Sequence, residues 1–264
     1  MEQIGQKRRS RNATLVSKSA ITQRIALACR IMYSEGLREA QGFEFAGHIS
    51  VRLPGQSNLF VMPGHLHERG RGFSQLFPKD MIVVDMDGKR IQGNLDPVEE
   101  VVIHSYVYKA RPEINSVVHM HPPAATALGS ARQTILPISL KSSLFADGVP
   151  VLKRGPRLID NDEIAKEMIE VMGEHKTLIH KGHGVVTAGR NLEEACLLAL
   201  FLEGSAKSQI LAGLLGDVDP FDSAAALRFK ERMNLAEHPE MWQYFEKKWK
   251  NKHNSLPNSN LLGF

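Results

Sequence analysis

Two histidines separated by one residue, His119 and His121, lie at the end of an apolar segment. The β-branched residues before them predict a strand over Ser116 to Met120. Side chains of a strand alternate between its two faces, so His119 and His121 point the same way and can bind one metal ion, while Met120 points the other way. Such pairs also occur on solvated strands without a ligand. Other residues must therefore decide between the two interpretations.

A third histidine, His183, stands between Gly182 and Gly184, directly before a second strand-like segment. Flanking glycines allow a sharp turn and a close approach, which suits a side chain projected toward a site built elsewhere. Alone, His183 is more typical of a polar turn. With His119 and His121 it gives three imidazoles, the ligand number of a catalytic metal site with one open position.

Two carboxylates, Glu99 and Glu100, open a predicted helix over Val98 to Ala110. A carboxylate beside a metal can act as a ligand or as a general acid/base. Glutamates at a helix N-terminus also simply stabilise the helix dipole. Glu100 lies one helical turn before His104.

The chain resembles the class II aldolase/adducin family from about Ala20 to Leu215. The motifs that carry the resemblance occur in a fixed order: Gly47-His48-Ile49-Ser50-Val51-Arg52, Glu100 followed by His104, residues 110–121, and Gly182-His183-Gly184. The resemblance implies that His119, His121 and His183 are ligands of a divalent metal (Zn, Mn, Co or Fe). It also implies that Glu100, rather than Glu99, is the catalytic carboxylate. His104 is interpreted as a structural residue. His180, on the strand before His183, is interpreted in the same way.

Two loops depart from the pattern of the family's sugar-phosphate aldolases, which usually carry Gly-Asn in the first loop and a hydroxyl-rich phosphate cradle in the second. The first loop here has Gly47-His48, so His48 and Ser50 are predicted to contact substrate. The second begins at Met62-Pro63-Gly64 and supplies three further candidates, His65, Arg69 and Arg71. Arginine binds planar carboxylates through paired hydrogen bonds. A mobile surface loop is the alternative for this stretch.

The resulting functional hypothesis is a divalent-metal-dependent carbon–carbon lyase that decarboxylates a non-phosphorylated hydroxy-aromatic or related carboxylate. The metal would act as an electron sink, and Glu100 as the general acid/base. Cleavage of a sugar phosphate or hydroxy-keto acid by a class II aldolase is the first alternative. An iron-dependent oxygenase or a non-catalytic adducin-like module on the same fold is the second.

The resemblance also implies a homotetramer with active sites at subunit interfaces. Tyr244 is a candidate proton donor by analogy with a family tyrosine near the C-terminus. The alternative for Tyr244 is a packing role beside Trp242 and Phe245, because aromatic residues at helical spacing usually belong to a core.

The elements that must position these residues mix hairpins with helices. Strands are predicted at 48–53, 59–62, 81–85, 116–120, 135–138, 149–152, 177–179 and 184–187, and helices at 20–37, 98–110, 160–172 and 191–215, with two more in 221–250. Asp160 is the predicted cap of the third helix. This order favours an α/β fold with a mainly antiparallel sheet, and the resemblance specifies a class II aldolase-like layered α/β/α fold.

Composition limits the class of protein. The 264 residues, 42% of them hydrophobic and 23% charged, suit one domain over 18–250. A basic flexible tail is expected at 1–17 and a loose tail at 251–264. The net charge of +4 favours a small anionic substrate. We expect no nucleic-acid or membrane partner, no secretory signal, no disulfide between the two cysteines and a cytoplasmic location.

Overall fold

The computed structural model describes residues 18–38, 47–66, 71–155 and 157–254. The predicted tail at 1–17 and the residues from 255 onward lie outside the described residues. The helices are α1 (Lys18–Ser34), α2 (Val101–Ala110), α3 (Pro123–Ser130), α4 (Asp162–Met172), α5 (Leu192–Leu215), α6 (Ser223–Arg232) and α7 (Pro239–Asn254). The strands are β1 (His48–Leu53), β2 (Gln56–Pro63), β3 (Met81–Asp85), β4 (Arg90–Gln92), β5 (Ser116–Met120), β6 (Val151–Leu152), β7 (Thr177–His180) and β8 (Gly184–Gly189).

The eight strands form one sheet in the order β4-β3-β2-β1-β5-β8-β7-β6. Every neighbouring pair is antiparallel except β6 and β7, which are parallel. Strand β5 lies between β1 and β8, where His119 is opposite His48 on one side and Val186 on the other. The first metal-ligand candidate therefore stands in the middle of the sheet.

Helices cover the sheet in two groups. Helices α1 and α5 pack together on β1, β5 and β8, and α7 packs on both helices. Helices α2 and α4 pack together on β5, β6 and β7. The predicted layered α/β fold with a mainly antiparallel sheet is thus confirmed.

Helix α5 is long and apolar enough to cross a membrane by length and composition alone. In this fold it is a core helix, because 61% of its most apolar stretch is buried inside the protein. Its residues Cys196 and Leu197 are fully buried, and Cys29 of α1 is a second buried free thiol.

Several predicted elements needed correction. The expected strand at 135–138 is a loop, because the side chain of Gln209 hydrogen-bonds to the backbone of Thr134 and Leu136 in place of a neighbouring strand. Asn161, not Asp160, caps α4 by accepting hydrogen bonds from two backbone amides of its first turn. Helix α3 was not predicted, since its small residues lack a clear apolar periodicity. Helix α7 extends past residue 250.

Candidate active site

Four predicted site residues come together where β5, β8 and the start of α2 meet. A ligand atom of each of Glu100, His119, His121 and His183 lies within 4.8 Å of the other three. The Nε2 atom of His119 is 3.0 Å from Nε2 of His121 and 3.2 Å from Nε2 of His183. Oε2 of Glu100 lies 3.3 Å from Nε2 of His119 and 3.4 Å from Nε2 of His183.

These separations fit a shared metal ion. Two nitrogens bonded at about 2.1 Å to one tetrahedral ion lie roughly 3.4 Å apart, and imidazole and carboxylate donors suit zinc, manganese, cobalt and iron. Three imidazoles can hardly satisfy one another, because a neutral ring carries a single N–H. The donor set therefore fits a divalent cation, although the roles of the four residues stay predictions.

A backbone contact orients His119 within the sheet. Its Nδ1 lies 3.0 Å from the carbonyl oxygen of Val185, which can only accept a hydrogen bond. The ring must carry its hydrogen on Nδ1, so the lone pair on Nε2 points into the cluster. Metal-binding histidines are commonly held in this way.

The glycines around His183 allow its approach. Gly182 adopts a positive φ of 71° in the turn between β7 and β8. A Cβ atom on Gly184 would lie 2.5 Å from the carbonyl oxygen of Met120 and 2.6 Å from the ring of His121. The ring of His180 stacks on that of His183 at 4.9 Å, and its Nε2 contacts the carbonyl of Arg154.

The two neighbouring glutamates differ sharply in their surroundings. Glu99 is exposed, whereas Glu100 is buried with its Oε1 accepting a hydrogen bond from the Ile159 amide at 2.9 Å. Burial by itself raises the pKa of Glu100, but its electrostatic interaction and hydrogen bonding with His119, followed by contacts with His183 and His48, lower it well below the usual range. Glu100 is therefore an anion facing the cluster.

His119 and His121 are neutral. Burial, together with the neighbouring imidazoles, lowers the pKa of His119 to about 4 and that of His121 to about 2, although Glu100 opposes both shifts. A neutral imidazole keeps the lone pair that a metal requires.

A buried carboxylate supports the segment that follows His121. Glu203 of α5 is 2% exposed and accepts hydrogen bonds from the amides of Ala124 and Ala125, at the start of α3. Sequence reasoning did not identify this residue, because a glutamate in an apolar helix resembles an ordinary solvent-facing position.

A second buried polar group lies beside the cluster and includes both predicted first-loop residues. His48 and Ser50 of β1 contact His104 of α2, and Ser50 also contacts Tyr108. Sequence reasoning treated His104 as a packing residue and did not select Tyr108. The spacing could have indicated this group. His48 and Ser50 are two residues apart, which places them on one face of a strand, and His104 and Tyr108 are four residues apart, which places them on one face of a helix.

The other predicted substrate residues have different surroundings. Arg71 pairs with buried Asp80 through two hydrogen bonds, of 2.6 and 2.9 Å. The backbone amide of His65 binds the carbonyl of Asp96, and Arg69 lies outside the described residues. Tyr244 is 61% exposed, with its ring against Phe245.

Comparisons with known proteins identify the family and the fold of this chain. The model of the Class II Aldolase and Adducin N-terminal domain matches residues 23–210. A 3,4-dihydroxyphthalate decarboxylase from Arthrobacter keyseri is 34% identical, covering 82% of this chain and 85% of the relative. A second 3,4-dihydroxyphthalate decarboxylase, from Terrabacter sp. (strain DBF63), is 33% identical over 79% of this chain and 89% of its own. Among solved structures, L-fuculose 1-phosphate aldolase from Glaciozyma antarctica PI12 has the same fold, with a TM-score of 0.76 at 24% identity over 91% of this chain and 94% of that one.

Proposed function

Because this chain belongs to the class II aldolase and adducin family, we propose that it is a divalent-metal-dependent lyase that decarboxylates a hydroxylated aromatic carboxylate such as 3,4-dihydroxyphthalate. The observation that carries the proposal is the convergence of the Glu100 carboxylate with three imidazole nitrogens within 4.8 Å. Similarity to two decarboxylases of that substrate supports the choice of reaction.

His119, His121 and His183 would hold the metal, which is zinc, manganese, cobalt or iron. When bound, such an ion supplies Lewis acidity that withdraws electron density from oxygen atoms of the substrate. The electron pair of the breaking carbon–carbon bond then passes into the hydroxylated ring, and carbon dioxide leaves.

Glu100 would act as the general base and acid. Its depressed pKa keeps it ionised, so it can accept the proton of a substrate hydroxyl as the substrate binds. The same proton then replaces carbon dioxide on the ring carbon, and the product leaves as a phenolate that takes a proton from solvent. The Ile159 amide holds one carboxylate oxygen and leaves the other facing the imidazoles.

The substrate is proposed to be a small anion without phosphate. The second loop has Met62, Pro63 and Gly64 in place of the hydroxyl groups of a phosphate cradle. His48 of β1, together with His65 and Arg69 of the second loop, would contact the substrate directly. Ser50 contacts His104 and Tyr108 and would act through them. Because Arg71 is paired with Asp80, it would contribute indirectly, by fixing the second loop.

A substrate panel tests the reaction. Purified protein is loaded separately with zinc, manganese, cobalt and iron. Carbon dioxide release is measured from 3,4-dihydroxyphthalate and pyridine dicarboxylates, and formation of the aldehyde fragment is measured from sugar phosphates. We expect turnover of the hydroxylated aromatic acid. Turnover of sugar phosphates alone would establish the aldolase alternative, and oxygen uptake with iron would establish the oxygenase. A protein that binds no divalent metal would support the adducin-like module.

We also propose a cytoplasmic homotetramer with its active sites between subunits. Exposed Tyr244 on α7 would then reach the site of a neighbouring subunit. Light scattering during size-exclusion chromatography measures the subunit number, and a monomer would contradict this arrangement.

A further inference from the structure

Four buried side chains form a continuous hydrogen-bonded chain that ends at the metal-ligand cluster. Nδ1 of His48 lies 2.6 Å from Nε2 of His104, and Nδ1 of His104 lies 2.6 Å from Oγ of Ser50. The Ser50 hydroxyl lies 2.7 Å from that of Tyr108. Each of the four residues is no more than 4% exposed, so water cannot readily replace these contacts.

The far end of the chain fixes the direction of its hydrogen bonds. Among the described residues, Ser50 is the only hydrogen-bond acceptor for the hydroxyl of Tyr108. If Tyr108 donates to Ser50, the Ser50 hydrogen goes to Nδ1 of His104, and the Nε2 hydrogen of His104 goes to Nδ1 of His48. In the reverse direction, the Tyr108 hydrogen would be buried without an acceptor, which is energetically costly.

The near end favours the same direction. Nε2 of His48 lies 3.9 Å from Oε2 of Glu100. With His48 Nδ1 accepting from His104, a neutral His48 ring carries its hydrogen on Nε2 and presents a donor to the carboxylate. The reverse direction would present a lone pair to an anion, which is repulsive.

The interior members of the chain are neutral, as this arrangement requires. Burial holds the pKa of His104 well below its ordinary value. Burial raises the pKa of Tyr108, so the phenol keeps its proton.

We propose that Tyr108, Ser50 and His104 hold His48 in the tautomer with hydrogen on Nε2, so that His48 donates a hydrogen bond to a carboxylate oxygen of the substrate. His48 contacts substrate, and the other three are positioning residues. The substrate contact rests on the proposed function, whereas the tautomer does not. The role also explains why an imidazole is useful at this position, since its second nitrogen links the substrate to the interior chain.

Nitrogen NMR of protein labelled with ¹⁵N-histidine, as purified and after zinc addition, reads the tautomer directly. We expect neutral His48 with hydrogen on Nε2 and neutral His104 with hydrogen on Nε2. Tyr108→Phe should shift His48 toward a mixture of tautomers. Tyr106→Phe is the control, because it removes a tyrosine hydroxyl from the same helix that takes no part in these hydrogen bonds. It should leave the His48 signals unchanged. A doubly protonated His48, or hydrogen on its Nδ1 in the unaltered protein, would overturn the proposal.

Binding and kinetics test the contact with substrate. His48→Phe should weaken binding of phthalate, a carboxylate probe, by about 10- to 100-fold, while catechol, which lacks the carboxylate, binds as before. His48→Gln keeps an N–H at the corresponding position and should recover most of the affinity. Tyr108→Phe should raise KM for 3,4-dihydroxyphthalate about 2- to 10-fold with a smaller change in kcat.

Metal content is measured in every variant, which separates a lost contact from a lost ion. If the protein shows the expected tautomer but turns over no aromatic acid, the proposed function is contradicted and the proposed direction of the hydrogen bonds is not. Equal losses of phthalate and catechol binding in His48→Phe would instead overturn the carboxylate contact.

Discussion

The metal-ligand cluster and the second loop, which begins at Met62 and of which residues 62–66 and 71 are described, are both rich in histidine or arginine. Their described side chains differ in what they contact. The cluster stands on β5, the β7–β8 turn and the start of α2, and its imidazoles and carboxylate are at least nine-tenths buried. Nε2 of His119 lies 3.0–3.3 Å from ligand atoms of the other three residues. In the second loop, the described guanidinium, that of Arg71, contacts Asp80 of its own chain.

The difference shows where a sequence motif is sufficient to locate a site. Sheet pairing and helix packing hold residues of the cluster to within a fraction of an ångström, which the chemistry of a metal requires. A loop side chain can equally well stabilise the loop itself. The cluster should therefore respond to substitution through metal and catalysis, and the second loop chiefly through stability.

The largest effect is expected for His183→Ala. Removing one of three imidazoles should lower metal affinity by more than about 100-fold, because even the loss of an outer partner of a metal ligand costs 10- to 100-fold. Activity should fall to background. Metal analysis after dialysis measures the change, with exposed His238→Ala as the control. Full retention of the metal would show that His183 is not a metal ligand.

Glu100→Gln should lower kcat by about 10²- to 10⁴-fold, because the amide cannot accept and return a proton. Metal content should stay nearly unchanged if Glu100 is the acid/base and fall if it is a ligand. Glu99→Gln is the matched control, since Glu99 is the exposed neighbour and should retain full activity. Equal losses in both variants would contradict the distinction between them.

The metal-free protein should lose stability as the pH falls from about 6.5 toward 4. Burial lowers the folded-state pKa of His119 to about 4, against about 6.5 in the unfolded chain. The unfolded state therefore binds more protons in this window, and acid favours it. The loss is on the order of 3 kcal/mol for His119. Urea unfolding across this range measures it, and His119→Gln should have a shallower dependence.

Arg71→Ala should lower the free energy of unfolding by about 1–3 kcal/mol, because it leaves the carboxylate of buried Asp80 without its cation. Metal content should not change. Arg90→Ala breaks an exposed pair with Asp96 and should cost less than about 1 kcal/mol. A stable Arg71→Ala variant with a raised KM would show instead that the guanidinium binds substrate.

Tyr244→Phe should have the smallest effect on stability, within about 0.5 kcal/mol, since the residue is exposed. A fall in its kcat, with unchanged metal content, would assign it to a site shared between subunits. Unchanged kcat would exclude Tyr244 as a proton donor.

Local pattern was sufficient for most of the fold. Strands β1, β3 and β5 have the predicted bounds, because alternating or continuous β-branched residues leave little ambiguity. The pattern was misleading at 135–138, where a distant glutamine supplies the hydrogen bonds. It did not predict α3, whose first turn depends on Glu203 of α5. In each case the deciding partner lies far away in sequence.

The sequence by itself determined the family, the layered fold and the identity of four residues with donor atoms suited to a metal, because spacing on strands and helices fixes which way side chains point. Only the tertiary structure decided that these atoms meet, that Glu100 is buried while Glu99 is exposed, and that Arg71 faces Asp80. It also joined His48 to Tyr108 through Ser50 and His104. Strand pairing and helix packing bring His119 to His183, 64 positions away, and His48 to His104, 56 positions away. Local spacing carries no information about such contacts.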